Sequence, residues 1–223
     1  THAHLVGKCS HGCTYCYADA RAKRNPKTLG TWGNDGTRVR GGYTYWRQAF
    51  KWNRYAEKAG ERRRVFCASL ADVFEDWDGP MLNARGEVLH TCEYMADFDV
   101  DGLRVPFAMN DDNTCPHCHN DCPQLTMADC RRDLFALIDQ TPHLDWLLLT
   151  KRPENIRRMW CSHTNTDGLP PSQLPRPNVW LLTSIATQAD ADKNIPELLK
   201  CRDLCPVLGV SAEPLTEAVD FRF

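Results

Sequence analysis

The heptapeptide "LDWLLLT", residues 144 to 150, has five apolar side chains in seven positions. It is too short for a helix that buries one stripe and too continuous for a strand with one wet face. The reading is a strand covered on both sides, which is how strands of a parallel sheet read when helices pack on them. Segments of the same kind recur, "HAHLVGKC" (2–9), "RVFCASL" (64–70), "NVWLLTSI" (178–185) and "CPVLGVSAEP" (205–214), and each is expected to lead into a helical pattern. Strand then helix, repeated with short joins, predicts an α/β fold of about five to six parallel strands. That is too few for a closed eight-stranded barrel, so the expectation is a partial (β/α) barrel or an open sheet.

The intervening helices are equally legible. Over residues 43–60, Trp46, Ala49, Phe50, Asn53 and Ala56 share one face, Arg47, Lys51, Arg54 and Lys58 form an adjoining basic stripe, and Gly60 is placed to end the helix. A helix over 127–139 starts from Thr126 as N-cap and turns Met127, Cys130, Leu134, Leu137 and Ile138 inward. Two more are expected, one from about Pro153 and one over roughly 188–201. Residues 78–125 break the rhythm, being rich in Gly, Asp, Asn and Cys, and read as a cysteine-rich insertion. The expected organisation is therefore 1–77 as the N-terminal part of the core, 78–125 as the insertion and 126–223 as the remainder. The last strand-like segment lies so near Phe223 that the core is expected to be truncated there.

With 42% hydrophobic and 25% charged residues in 223, the chain can bury a core. No apolar run is long enough to span a bilayer and the first twenty residues carry no secretory apolar stretch, so the expectation is a cytoplasmic protein with no membrane partner. Residues 1–64 hold 14 Lys/Arg against 4 Asp/Glu, a balance of +10, within a net charge of −2. A basic first third is suited to phosphates, and equally to solvated helix faces.

Of twelve cysteines, seven fall in two groups, a pattern of metal ligation rather than of a small disulfide scaffold. "CSHGCTYC" brings Cys9, Cys13 and Cys16 around one centre with the fourth position open. Three thiolates and no nearby fourth ligand suit an iron–sulfur cluster with one open iron better than closed structural zinc. A zinc knuckle completed by His2, His4 or His11 is the competing account. "TCPHCHNDC" supplies Cys115, Cys118 and Cys122, with Cys92 upstream, enough for a tetrahedral zinc site that would order the insertion. His90, His117 and His119 are possible substitutes, and an auxiliary iron–sulfur cluster is the rival. Cys67, Cys130, Cys161, Cys201 and Cys205 read as small buried hydrophobes.

"CSHGCTYC", with the aromatic Tyr15 before its third cysteine, resembles the signature of the radical S-adenosylmethionine superfamily. "CASLADVFEDW", "HLDWLLLTKRPENI", "NVWLLTSIATQADADKNIPELL" and "VLGVSAEPL" resemble successive blocks of a phage-associated branch distantly similar to spore photoproduct lyase. The resemblance implies a barrel of the radical S-adenosylmethionine type and a [4Fe-4S] cluster on Cys9, Cys13 and Cys16. It also implies S-adenosylmethionine on the fourth iron with Tyr15 beside its adenine, and a one-electron reductant such as flavodoxin or ferredoxin. The implied reaction is reductive cleavage to a 5′-deoxyadenosyl radical that modifies, isomerises or repairs a nucleic-acid base or nucleotide, in a bacterial or phage-infected cell.

Ligands of parallel sheets collect at the carboxyl ends of the strands. The polar residues there are Ser69, Asp72, Thr150, Lys151, Arg152, Thr183, Ser184, Ser211 and Glu213. A carboxylate such as Asp72 or Glu213 suits the cofactor's amino group or ribose, and Lys151 or Arg152 its carboxylate. Each has an ordinary alternative: Asp72 as a cap, Arg152 paired with Glu154 or another acid. The reading from a different class is a non-catalytic zinc-binding module that grips nucleic acid through Arg47, Lys51, Arg54 and Lys58.

Overall fold

A computed structural model describes residues 5–6, 17–26, 36–67, 71–92, 106–160 and 175–222. In chain order these form β1 (Leu5–Val6), α1 (Tyr17–Arg24), β2 (Arg38–Arg40), α2 (Tyr43–Ala59), β3 (Arg63–Cys67) and β4 (Met81–Leu82). After the insertion come α3 (Met127–Asp139), β5 (Leu144–Thr150), the helical turn α4 (Ile156–Met159), β6 (Val179–Ser184), α5 (Gln188–Leu199) and β7 (Val207–Ser211).

Four strands make the central sheet in the order β3-β5-β6-β7, all parallel, with Val65, Trp146 and Val179 abreast. The face shared by Val65, Cys67, Trp146, Leu148, Val179 and Leu181 is buried against α2 and α3. The opposite face carries Phe66, Leu147, Leu149 and Leu182, each half-buried. The fold is thus α/β with a parallel sheet as expected, and no closed barrel is formed among the described residues.

β1 departs from expectation. It does not extend the parallel sheet; it pairs antiparallel with β2, and β2 pairs parallel with β4, giving a separate three-stranded sheet. A two-residue strand has too few ladder bonds to be assigned a partner from its own sequence.

The helices obey their local signals. α2 ends at Gly60 in the left-handed conformation, φ 65°, whose N–H bonds back to the last turn, and it buries Trp46, Ala49 and Ala56. α3 starts from Thr126 in a reciprocal capping box with Asp129, and α5 does the same with Thr187 and Asp190. The expected helix after Pro153 is shorter: a 3-10 turn over Pro153–Asn155 and then α4. No helix among the described residues is long and apolar enough to cross a membrane.

The insertion is better tied to the core than its composition suggests. Met81, Leu89 and Leu125 pack on Met127 and Cys130 of α3; Leu89 N donates to Met81 O (2.8 Å) and Leu89 O accepts from Leu125 N (2.8 Å).

Candidate functional site

The insertion gathers four thiols. Residues 89–92 run between two neighbours: His90 exchanges backbone bonds with Phe107 at 2.7 and 3.2 Å, and Thr91 N donates to Pro123 O at 3.0 Å. Cys92 is thereby set beside the Cys115–Cys122 loop. There His119 N closes the turn onto Cys115 O at 3.0 Å, helped by a left-handed His119, φ 59°. The backbone N–H groups of His117 and Cys118 both point at Cys115 Sγ, each 3.4 Å away. The Sγ atoms of Cys92, Cys115, Cys118 and Cys122 all lie within 4.8 Å of one another.

Their chemistry suits a cation. Burial raises the Cys115 thiol, but the N–H groups of Cys118 and His117 and the neighbouring thiols outweigh it and bring it down to about 7. Cys122 is pushed up, first by burial and then by bonds with the thiols around it. A bound cation offsets the cost of burying a thiolate at Cys115 and Cys122 alike. Phe107 and Met109 wall the site, and Phe107 meets the edge of the His117 ring at 5.2 Å. The four-thiol group contains neither His90, His117 nor His119. His90 is buried, with Nδ1 unpartnered among the described residues.

At the carboxyl ends of β3 and β5 lies a buried ionic network. Asp72 accepts from Thr150 Oγ1 (2.7 Å), Phe74 N (3.0 Å), Lys151 N (3.0 Å) and Arg152 Nη1 (3.0 Å). Arg152 also reaches Glu75 at 3.5 Å, and Glu75 takes a two-pronged bond from Arg38 at 2.8 and 2.9 Å. Arg38 lies over the Trp77 ring at 4.3 Å. Arg131 of α3 donates to the carbonyls of Val73 (2.9 Å) and Glu75 (3.1 Å), and Asn155 to that of Phe74 (3.0 Å). The loop from Asp72 to Trp77 is thus clamped on three sides. Asp72 is not a helix cap: its side chain makes a tight turn with Phe74 N. Arg152 pairs with buried acids rather than with Glu154.

Further along the strand ends, Ser184 and Ser211 are register partners on the same face as Leu182. Ser184 is buried, Lys151 and Ser211 are half-buried, and Glu213 is exposed. Thr150 and Thr183 point to the helix side, where Thr183 Oγ1 donates to Thr150 O at 3.1 Å. Asn194 of α5 is buried beneath Ser184, with its Oδ1 unpartnered among the described residues. Cys9, Cys13, Tyr15, Cys16 and Ser69 lie outside the described residues, as do His2, His4, His11 and Cys161. Cys67, Cys130, Cys201 and Cys205 are buried, as their isolation in the sequence suggested.

Sequence reasoning missed Arg38, Arg40 and Arg131. All three side chains of the "RVR" strand are buried, and acids meet both arginines. Arg38 reaches Glu75, and Arg40 reaches Asp133 at 3.1 Å while lying over Trp46 at 4.4 Å. The acids come from distant segments, so no local pattern signals them.

Residues 5–93 and 117–222 match the family described as "Protein of unknown function (DUF5131)". The chain belongs to that family. No curated protein and no solved structure matches it.

Proposed function

We propose that this DUF5131 protein is a radical S-adenosylmethionine enzyme acting on a nucleic-acid base or nucleotide, with its insertion held by one zinc ion on Cys92, Cys115, Cys118 and Cys122. The observation that carries the reading is the Cys9-x3-Cys13-x2-Cys16 spacing with Tyr15, in the segment between β1 and α1. Three thiolates are the donor set that a [4Fe-4S] cluster with one open iron requires. Such a cluster, when bound, supplies the electron that cleaves S-adenosylmethionine.

The chain's own residues bind and orient. Asp72 has its acceptor capacity filled by protein donors, so its work is positioning: it fixes the backbone of Lys151 and the loop after β3. That leaves Lys151, Ser184, Ser211 and Glu213 to meet polar groups of a ligand above the sheet, with Arg152 holding Asp72 in place. The half-buried apolar face of Phe66, Leu147, Leu149 and Leu182 beneath them offers a surface from which water is readily excluded.

Zinc, rather than an auxiliary cluster, is supported by the thiol spacing. Zinc–sulfur bonds of about 2.3 Å put the corners of a tetrahedron about 3.8 Å apart. All four sulfurs lie within 4.8 Å of one another, and Cys118 and Cys122 are 3.5 Å apart. A cubane would spread its thiolates further by the separation between its irons.

The test is elemental analysis of protein purified without oxygen, followed by reduction with dithionite in the presence of S-adenosylmethionine. About four irons and about one zinc per chain are expected, with 5′-deoxyadenosine formed and lost on Cys13→Ala. Zinc alone, with no iron held after reconstitution, overturns the enzyme reading in favour of a zinc-stabilised nucleic-acid-binding module.

A further inference from the structure

We infer that the outward face of α2 binds single-stranded nucleic acid, its phosphates meeting Arg47, Lys51, Arg54 and Lys58 and an unpaired base stacking on Tyr55. The inference deepens the nucleic-acid part of the proposed function and rests on that part only.

At about 100° per residue the four cations fall within an arc of about 60°, roughly opposite the buried Ala49 and Ala56 and about 110° round from Trp46. All four are exposed. At about 1.5 Å of rise per residue they extend about 16 Å along the helix, the length of about five nucleotides of a stacked strand at about 3.4 Å each. The only acid in α2 is Glu57, which stands off the stripe and faces His143 at 3.7 Å. Arg54 and Lys58 have no acidic partner among the described residues. A helix whose cationic stripe carries no acid of its own is complementary to a polyanion.

Two tyrosines flank the stripe, and the cations already lie against them: Arg47 over Tyr43 at 5.5 Å and Lys51 over Tyr55 at 5.7 Å. Tyr55 is 50% exposed, a large ring left in water on the charged side of the helix. Cations tracking a backbone beside exposed rings is how unpaired strands are gripped, because every base offers a face for stacking whereas a duplex hides it.

The test is fluorescence anisotropy with a labelled 20-nucleotide single-stranded DNA and the full chain purified without oxygen. The same DNA as duplex and a polyglutamate of equal charge are the comparison probes. Single-strand binding should weaken with salt, and R47E/K51E/R54E/K58E should weaken it at least tenfold. The logarithmic salt slope should fall by about 0.7 for each phosphate that the variant no longer neutralises. Tyr55→Ala should cost about fivefold or more, with circular dichroism unchanged. Affinity unaltered by the fourfold reversal, or tighter binding of duplex or polyglutamate, overturns the inference. Formation of 5′-deoxyadenosine, measured separately on the unaltered protein, reports on the radical chemistry. Failure there with single-strand binding intact removes the enzyme and leaves the surface.

Discussion

Asp72→Asn is the sharpest probe of the strand-end network. The change keeps the shape but replaces one carboxylate oxygen with an amide that donates where protein donors already point. Four bonds of 2.7 to 3.0 Å converge on that carboxylate. Arg152, with 8% of its side chain exposed, keeps Glu75 at 3.5 Å, and Glu75 is already held by Arg38. Removing one partner of a buried ion pair costs about 3–5 kcal/mol, and the surviving bond to Glu75 places this case near 3 kcal/mol. At an m-value of about 2 kcal/mol/M, the urea midpoint should fall by about 1.5 M with the slope unchanged. Arg152→Met should be damaging alone, but the Asp72→Asn/Arg152→Met double variant should recover at least about 1 kcal/mol relative to the sum, because neither charge is then stranded. A cost of Asp72→Asn below about 1 kcal/mol, or strict additivity in the double variant, would refute the clamp.

Gly60→Ala should cost about 1 kcal/mol in chemical denaturation, purely through the left-handed backbone, since an added Cβ meets nothing within 4 Å. Asp190→Asn should destabilise the protein at neutral pH but less so in acid. Burial raises Asp190, but bonds from the backbone of Ala186 and from Thr187, with the Lys151 charge, outweigh it and lower its pKa from 3.8. The stability this carboxylate contributes is present above about pH 4 and is lost as pH falls through its lowered value, so the gap between variant and parent should narrow as urea melts are taken from pH 7 down below pH 4. Cys115→Ser should lower zinc from about one per chain to a small fraction while leaving far-ultraviolet circular dichroism of the core near normal, and zinc retained at full occupancy contradicts the four-thiol site.

Where the physics is local, the sequence was legible to the residue. Gly60 ends α2 because only a residue without Cβ sits easily at φ 65°, and Thr126 starts α3 because its hydroxyl takes the Asp129 N–H at 3.1 Å. The parallel strands were visible because β5 and β6 lie inside the sheet and are apolar on both faces, one buried and the other half-buried. β7, at the sheet edge, was read from its own apolar run and is only half-buried. What was hidden depends on partners far away in the chain. Arg38 meets an acid 37 positions on, Arg40 one 93 positions on, and Arg152 one 80 positions back. Burial of a charge is decided by such partners and leaves no periodic trace. The thiol set lay between these extremes: Cys115, Cys118 and Cys122 announce themselves by spacing, whereas Cys92 is brought in by the backbone pairing of residues 89–91.

That pairing also separates two jobs within the insertion. Its base is an apolar seam, Met81, Leu89 and Leu125 on Met127 and Cys130, which holds by burial without metal; its tip depends on four thiols that repel shared negative charge unless a cation sits among them. Helix α3 supports both the seam and the strand-end loop, because Met127 and Cys130 face the insertion while Arg131 grips the carbonyls of Val73 and Glu75. Loss of metal should therefore loosen the tip without releasing α3. The Asp72 clamp then keeps its geometry, since none of its hydrogen bonds passes through the thiol site. A metal bound there is a staple for the insertion, standing apart from the strand ends where Lys151, Ser184 and Ser211 gather.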